Sequence, residues 1–224
     1  MENNPSVVFH VGDLVNDGFY PKNWSVFNKV TGDLRKKAEF YPVLGNHERN
    51  SPLYFKNFNL PNNGRWYSLD RQDVHFIILD SNSILSIGSE QYRWLEDNLK
   101  GVDKKTKFII VIFHHPIFSS TRNCADKKKL RHLIPLFERY GVNMVFNGHA
   151  HNYERFLYNK IYYIITGGGG APLYERSGKA EYSQVFAKVN HFCKLSINGD
   201  QLTVTAIDID ANVVDEFSIK SDIH

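Results

Sequence analysis

The chain has 224 residues with a formal net charge of +3, and charged residues make up 23% of it. These proportions are typical of an ordinary globular domain and exclude collagen-like and low-complexity chains. Its 16 Phe, 12 Tyr and 3 Trp exclude intrinsic disorder as well. The apolar runs are too short to span a bilayer, and so small a positive charge is a weak signal for nucleic-acid binding. We therefore expect one domain over residues 1–224, with neither a membrane nor a nucleic acid as its partner.

The first two-thirds of the chain alternates predicted strands and helices. Short apolar runs rich in β-branched residues predict buried strands, and apolar residues at helical spacing predict helices. Strands are predicted at residues 6–11, 39–44, 66–69, 74–80, 107–113 and 143–146. Helices are predicted at 23–37, at 90–99 after an N-cap at Ser89, and at 126–140 before Gly141.

The last third of the chain is predicted to be mostly β. Strands are predicted at 161–165, 191–197, 202–207 and 213–219, and Asn198-Gly199-Asp200 predicts a hairpin turn between two of them. No linker-like stretch marks the change, so one layered α/β domain is favoured over two domains. Cys124 and Cys193 match no metal or disulfide spacing and are interpreted as unpaired thiols.

Polar clusters follow four of the predicted strands. They are Gly12-Asp13, Gly45-Asn46-His47-Glu48, His114-His115-Pro116 and Gly148-His149-Ala150-His151. Sites in open α/β sheets lie at the carboxyl ends of the strands, so we expect the four clusters to meet in one crevice. The set offers a carboxylate, an amide and several imidazoles without a thiol. These ligands suit Mn, Fe, Zn or Mg and argue against a structural zinc site.

The individual signals differ in strength. His149 and His151 form an i, i+2 pair that can approach one site from one side. Asn46 could equally belong to a turn with an Asx hydrogen bond. Lone histidines are more often structural, and that interpretation is given to His10, His75, His132, His191 and His224. The run from Gly167 to Gly170 lacks the Lys-Ser/Thr of a P-loop, so it predicts a tight turn close to the metal site.

Together the four clusters resemble the motifs of the calcineurin-like metallophosphoesterase superfamily. The run from Gly148 to Arg155 is similar to the purple acid phosphatase branch of that superfamily. The resemblance covers nearly the whole chain. It implies an α/β fold, built as a layered α/β/β/α sandwich with mixed sheets. It also implies hydrolysis of a phosphate ester, a monoester in the first place, by two metal ions bridged by a carboxylate and a hydroxide.

The resemblance further implies a set of metal ligands. Asp13 matches the bridging aspartate. The residues that match ligands of one metal ion are Asn46, His114 and His149, and His151 matches a ligand of the other. The implied cofactors are two Fe, Mn or Zn ions, and the implied partner is a small-molecule phosphate ester.

Two more histidines receive roles from the resemblance, and one position departs from it. His47 matches the catalytic histidine that contacts the substrate and protonates the leaving oxygen. His115 is a candidate substrate-binding residue, with packing beside Pro116 as the alternative. Purple acid phosphatases have a tyrosine ligand three residues after the bridging aspartate, where this chain has Asn16, so we expect no purple charge-transfer band. Whether Asp17 orients the catalytic histidine is open.

The first motif of the family has no match in this chain. That motif is an aspartate on the strand before Gly12-Asp13, whereas only eleven residues precede Gly12 here and Glu2 is the only carboxylate among them. A βαβ unit needs about 30 residues, so we expect a first strand and helix to be missing from an N-terminally truncated chain. The second metal ion would then keep mainly Asp13 and His151, so either one or two bound ions are expected.

Two other functions stay open. One is a phosphodiesterase acting on nucleotides or glycerophosphodiesters. Whether the site prefers a diester or a monoester depends on the loops at 50–64 and 173–182. The other is a catalytically impaired remnant that binds metal or phosphate without turnover, because the first motif is absent. No signal-peptide pattern precedes the first predicted strand, so the sequence predicts no location.

Overall fold

The computed structural model describes residues 4–122, 127–178 and 180–221. Its strands, numbered in chain order, are β1 (Val7–His10), β2 (Glu39–Pro42), β3 (Tyr67–Arg71), β4 (Val74–Ile78), β5 (Phe108–Ile112), β6 (Met144–Asn147), β7 (Tyr153–Tyr158), β8 (Ile161–Thr166), β9 (Ser183–Ala187), β10 (His191–Asn198), β11 (Gln201–Asp208) and β12 (Val213–Lys220). The α-helices are α1 (Pro21–Lys37), α2 (Pro52–Asn57), α3 (Glu90–Lys100) and α4 (Ile134–Arg139), and a 3₁₀-helix at Lys127–Leu133 leads into α4.

None of these described helices is long and apolar enough to cross a membrane. Glu2, Cys124, Asp126 and His224 lie outside the described residues.

The strands form three sheets. The largest has seven strands in the order β3-β4-β5-β6-β8-β7-β9. Its central strands β4, β5, β6 and β8 are parallel, whereas β3, β7 and β9 pair antiparallel with their neighbours. The other two sheets are the antiparallel β10-β11-β12 sheet and the parallel β1-β2 pair. The carboxyl ends of β4, β5 and β6 therefore lie at one edge of the large sheet, where sites of α/β proteins form.

Three apolar clusters show that the elements stack in four layers. One face of the seven-stranded sheet packs against α3 and α4, with Leu95 and Phe137 buried at that interface. Its other face packs against the two smaller sheets, where Ile110 of β5 and Val204 of β11 share a cluster. Helices α1 and α2 cover the outer face of the β1-β2 pair, with Trp24 buried there. The predicted α/β/β/α layering with mixed sheets is confirmed.

Four elements differ from the sequence prediction. The helix predicted at 126–140 is a 3₁₀-helix followed by the short α4, because Pro135 has no N–H to donate and its ring disfavours a regular helical turn before it. The sequence does not predict α2, which Ser51 caps by accepting a hydrogen bond from the Leu53 N–H at 3.2 Å. Nor does it predict β7 and β9, since Glu154 and Arg155 give β7 a polar pattern.

Predictions about turns and thiols agree with the structure. Strands β10 and β11 are joined by a two-residue loop in which Gly199 has φ +60°, and Asn198 pairs with Gln201 across it. Gly141 follows α4 with φ +68°, as expected of a glycine after a helix. Within the described residues, Cys193 is a free thiol.

Candidate metal centre

The loops that follow β1, β2, β5 and β6 are joined to one another by hydrogen bonds. The Gly148 N–H donates to the carbonyl of His114 at 3.0 Å, and the His47 N–H donates to Asp13 Oδ1 at 3.0 Å. The ring of His114 contacts the carbonyl of Val11 at 2.8 Å. These contacts bring the four polar clusters together, as the position of each at a strand end predicts.

Two side chains of this centre extend from strained backbone. Asp13 has φ +56° and His149 has φ +64°, conformations that cost a non-glycine residue free energy and that cluster at functional sites. Glycines allow the loops to pack this closely. A Cβ on Gly45 would lie 2.2 Å from the Asp13 nitrogen, and a Cβ on Gly167 would lie 2.0 Å from the carbonyl oxygen of Ala150. The run that begins at Gly167 thus passes beside the site, as predicted.

Four side-chain ligand atoms are linked to one another by contacts of 3.0 to 3.2 Å. The Nε2 atom of His114 lies 3.1 Å from Asp13 Oδ2 and 3.0 Å from Asn46 Oδ1. The Nδ1 atom of His149 lies 3.0 Å from the same Asn46 oxygen and 3.2 Å from His114 Nε2. The ring of His114 is fully buried, and the Asp13 side chain is 17% exposed. These four residues are the ones that the resemblance assigns to the bridge and to one metal ion.

The positions of the hydrogens in this group suit a metal ion. The carbonyl of Val11 can only accept, so His114 carries a hydrogen on Nδ1 and directs Nε2 at the two oxygens. A proton on Nε2 would satisfy one of those oxygens, whereas a metal ion can bind all four atoms. Ligands at right angles about 2.1 Å from an ion are about 3.0 Å apart. The observed spacing of 3.0 to 3.2 Å therefore fits an ion with nitrogen and oxygen ligands.

The carboxyl group of Asp13 is held in its ionised form. Burial is the largest influence and by itself would raise its pKa. The hydrogen bond and charge of His114, together with the His47 N–H, lower the pKa of Asp13 to about 2. At neutral pH a carboxylate therefore faces the other three residues, and this is the form that binds a metal ion.

The ring of His47 is oriented by the backbone instead of by a carboxylate. Its Nδ1 lies 2.8 Å from the carbonyl oxygen of Asn16, which places a hydrogen on Nδ1. Asp17 accepts a hydrogen bond from the Phe19 N–H at 2.9 Å and lies 3.4 Å from Arg49. The question that the sequence leaves open is answered here: Asn16 orients His47 through its main-chain carbonyl.

The remaining two histidines are placed differently from each other. His115 belongs to a cluster whose ligand nitrogens all lie within 4.8 Å of one another, formed by His114, His115 and His149. In the described part of the chain, His151 is not a member of that cluster. Its Nδ1 lies 2.9 Å from the Pro172 carbonyl, and its ring stacks on Tyr174 with centroids 4.2 Å apart. The Pro172 contact places a hydrogen on Nδ1, so His151 presents a lone pair at Nε2.

The family follows from a comparison with known proteins. Residues 1–153 match the family model of the calcineurin-like phosphoesterases. The chain belongs to this family. It is 32% identical over 185 residues to purple acid phosphatase 21 of Arabidopsis thaliana, and this match covers 71% of this chain and 42% of that protein. It is 27% identical over 197 residues to probable inactive purple acid phosphatase 9 of the same plant, and this match covers 69% of this chain and 30% of that protein.

A solved phosphatase structure has the same fold. The purple acid phosphatase PPD1 from yellow lupin (Lupinus luteus) seeds superposes with a TM-score of 0.88 at 24% identity, over 96% of this chain and 46% of that chain. The chain spans less than half the length of each of these three relatives. Together the similarities place the chain in the purple acid phosphatase-like branch of the family, as its motifs predict.

Glu48 is a residue of the candidate metal centre to which the sequence assigns no role. It is fully buried, and its carboxylate accepts from the N–H groups of Gly45 at 2.6 Å and of Asp13 at 2.9 Å. Glu48 thus clamps together the two loops that carry Asn46 and Asp13. Burial, and next the charge of Asp13, raise the pKa of Glu48. Its position directly after a predicted catalytic histidine is the signal that could have identified it.

A fifth polar cluster at the same edge of the sheet contributes Ser81. The run Asp80-Ser81-Asn82-Ser83 follows β4, so the strand-end argument could have found it. Asn82 Nδ2 donates to the Leu44 carbonyl at 2.9 Å, and Ser81 contacts His115. An open cleft of about 740 Å³ lies beside this cluster, and its lining includes Asn50, Arg65, Trp66, Asn82 and Ile87.

Proposed function

We propose that this chain hydrolyses small-molecule phosphate monoesters at a dinuclear metal centre. One observation carries the proposal: ligand atoms of four side chains are linked by contacts of 3.0 to 3.2 Å, namely those of Asp13, Asn46, His114 and His149. Membership of the calcineurin-like phosphoesterase family supports it.

Two bound metal ions, of Fe, Mn or Zn, would lower the pKa of a shared water and clamp the phosphoryl oxygens for in-line displacement. Asp13 and His151 would hold one ion, and Asn46, His114 and His149, together with the same Asp13, would hold the other. Only one of these five side chains is anionic, so the loaded site keeps a net positive charge that favours a phosphate dianion.

His47 supplies the proton that the leaving oxygen needs. The carbonyl of Asn16 engages its Nδ1 at 2.8 Å, so Nε2 is the nitrogen that can face a substrate. The leaving group is proposed to lie in the open cleft that Asn50 and Trp66 line. With a volume of about 740 Å³, this cleft has room for an aromatic alcohol.

The central test measures metal content and turnover on the same samples. The purified chain is loaded with Mn, Zn or Fe and assayed with p-nitrophenyl phosphate and with bis-p-nitrophenyl phosphate. We expect two ions per chain and faster hydrolysis of the monoester. His149→Ala removes an imidazole ligand, so it should lower both the bound metal and, by about 100-fold or more, the turnover.

His132→Ala is the control for this variant. Both ring nitrogens of His132 contact carbonyl oxygens, those of Lys129 and Leu85, and neither residue belongs to the centre. The control should keep its metal content and turnover. Equal losses from two folded variants, with folding checked by circular dichroism, would contradict the assigned ligands. One ion per chain would instead support the expectation for a chain without the first motif.

A second candidate function is binding of metal or phosphate without turnover. It is favoured by the relative named probable inactive purple acid phosphatase 9. This function predicts metal uptake and calorimetric binding of inorganic phosphate, with no release of p-nitrophenol in the presence of any metal. Faster hydrolysis of the diester than of the monoester would identify a phosphodiesterase instead.

A further inference from the structure

The polar cluster after β4 is held in place by a buried carboxylate. Asp80 is fully buried and accepts from Arg65 Nε at 3.0 Å and from the Asn82 N–H at 2.9 Å. Asn82 in turn donates to the Leu44 carbonyl at 2.9 Å, in the loop that follows β2. Ser81, between these two anchored residues, therefore has a fixed position beside the metal-binding loops.

Ser81 makes two hydrogen bonds to one residue. The His115 N–H donates to Ser81 Oγ at 3.0 Å, and the same oxygen lies 2.9 Å from His115 Nδ1. The first bond uses Oγ as an acceptor. Oγ has a second lone pair, so its contact with Nδ1 can run in either direction, but among the described residues Nδ1 is the acceptor within reach of the hydroxyl hydrogen, which favours donation by Ser81. A neutral His115 ring that accepts this bond carries its hydrogen on Nε2.

This arrangement is the reverse of the one found at two predicted metal ligands. His114 and His151 donate from Nδ1 to the carbonyls of Val11 and Pro172, so Nε2 is the nitrogen of each ring that can bind a metal ion. His115 presents an N–H at that atom, and a protonated ring nitrogen has no lone pair for a metal ion. Distance alone would count His115 as a ligand, since its ring centroid lies 4.9 Å from that of His114.

We propose that Ser81 is a positioning residue that makes His115 a hydrogen-bond donor to a phosphoryl oxygen instead of a metal ligand. The proposal rests on the proposed function of the site and adds how the phosphate group is recognised. A phosphoryl oxygen is present both in the bound substrate and during its displacement. Loss of this donor should therefore raise KM more than it lowers kcat.

The tautomer of His115 can be measured directly by NMR. Two-bond proton–nitrogen correlations are recorded on the full chain labelled with nitrogen-15, with and without Zn, and the His115 signals are assigned by their loss in His115→Gln. We expect a protonated Nε2 and an unprotonated Nδ1 in the wild type and in Ser81→Thr, and a mixture of tautomers in Ser81→Ala. Ser83→Ala is the matched control. The Ser83 hydroxyl donates to Asp80, so this variant should leave the His115 signals unchanged. A wild-type ring protonated at Nδ1 overturns the proposal.

A second measurement counts metal ions and follows the binding of inorganic phosphate. His115→Gln should keep the wild-type metal content and bind phosphate about tenfold more weakly, and Ser81→Ala should raise KM for p-nitrophenyl phosphate about three- to tenfold with kcat changed less than about twofold. A lost metal ion in His115→Gln overturns the proposal. If the wild type turns over no substrate, the tautomer and the metal count still decide this proposal, and the failure is that of the proposed function.

Discussion

Each imidazole of the candidate centre takes its role from the partner of its second ring nitrogen. A carbonyl oxygen 2.8 Å from Nδ1 leaves Nε2 of His114 as the atom that can bind a metal ion, whereas the Ser81 hydroxyl makes His115 a hydrogen donor at Nε2. The two residues are neighbours in sequence and have the same side chain. Their different chemistry therefore comes from these second contacts, which fix the tautomer and the direction of each ring.

Glu48 should matter for metal binding through the backbone that it holds. Glu48→Gln replaces one acceptor oxygen by an NH₂ group, which faces either the N–H groups of Gly45 and Asp13 or that of Val15. We expect metal affinity to fall about 10- to 100-fold, and the free energy of unfolding to fall by about 1–3 kcal/mol. A competitive metal titration and urea denaturation measure the two effects. Glu138→Gln, at an exposed position of α4, is the control, and an equal loss of affinity there would contradict the clamp.

His10 should make folding sensitive to mild acid. Its Nδ1 is buried and, among the described residues, has no hydrogen-bond partner. Burial is the main reason that the pKa of His10 is lowered from 6.5 to about 4, and the charge of His114 lowers it further. The charge of Asp13 raises this pKa by a smaller amount. Between these two values the unfolded chain binds a proton that the folded chain does not. The free energy of unfolding should therefore fall as the pH is lowered through this window, by about 2 kcal/mol between about pH 7 and pH 5.

The variant His10→Gln removes this titration and should flatten the pH dependence. Urea denaturation of the metal-free chain at several pH values measures the free energy of unfolding of both proteins. The comparison at about pH 8, where the imidazole is neutral in both states, isolates the packing cost of the substitution. An unchanged slope below pH 7 in the variant would show that another group carries the acid sensitivity.

At the scale of the elements, the loops of the site depend on close backbone contact. A Cβ on Gly45 would lie 2.2 Å from both Asp13 N and Asp13 Oδ1. Gly45→Ala should therefore push the loop after β2 away from the loop after β1, lowering metal affinity and reducing the free energy of unfolding by about 1–3 kcal/mol. Metal titration and urea denaturation test both effects.

Gly32→Ala is the matched control, because no heavy atom lies within 4 Å of a Cβ added there in α1. Alanine has the higher helix propensity, so this variant should gain up to about 1 kcal/mol of stability. Its metal affinity should equal that of the wild type. A Gly45→Ala variant with unchanged metal affinity would show that the two loops can separate without disturbing the centre.

At the scale of the whole molecule, a buried ion pair joins the two large β-layers. Arg155 of β7 contacts Asp215 of β12 through two hydrogen bonds, Nε to Oδ2 at 2.6 Å and Nη2 to Oδ1 at 3.1 Å. The Tyr153 hydroxyl donates to the same carboxylate at 2.7 Å. The side chains of Arg155 and Asp215 are 14% and 8% exposed, so neither charge is well solvated without the other.

Asp215→Ala should be strongly destabilising because it leaves the Arg155 charge buried and unpaired. We expect the free energy of unfolding to fall by about 3–5 kcal/mol, measured by urea denaturation. The double variant Arg155→Met/Asp215→Leu should recover most of this loss, since it removes both charges. Asp210→Ala, in an exposed turn, should change stability by less than about 0.5 kcal/mol. A loss at Asp215 no larger than at Asp210 would argue against the ion pair as the link between the layers.

The predictability of the fold differs between strands for a physical reason. Strands β4, β5 and β6 are apolar runs covered on both faces, so their composition is enough to predict them. Strand β7 is not predicted, because Glu154 and Arg155 resemble residues of an exposed segment. Their charges are buried only because partners arrive from elsewhere in the chain: Glu154 accepts from the Ser120 N–H at 3.0 Å and from Ser183 Oγ at 2.8 Å, and Arg155 meets Asp215.

The candidate site divides in the same way. Polar residues placed directly after apolar strands predict a meeting point, because the carboxyl ends of parallel strands share an edge of the sheet. The local sequence pattern is thus enough to predict the family and the candidate ligands. The Glu48 clamp joins residues 35 positions apart, and the Ser81–His115 pair joins residues 34 apart. Which nitrogen carries a hydrogen and which loop is held depend on atoms that come within about 3 Å of each other after folding. No single stretch of the sequence predicts these contacts, because each of them joins residues that are far apart in the chain.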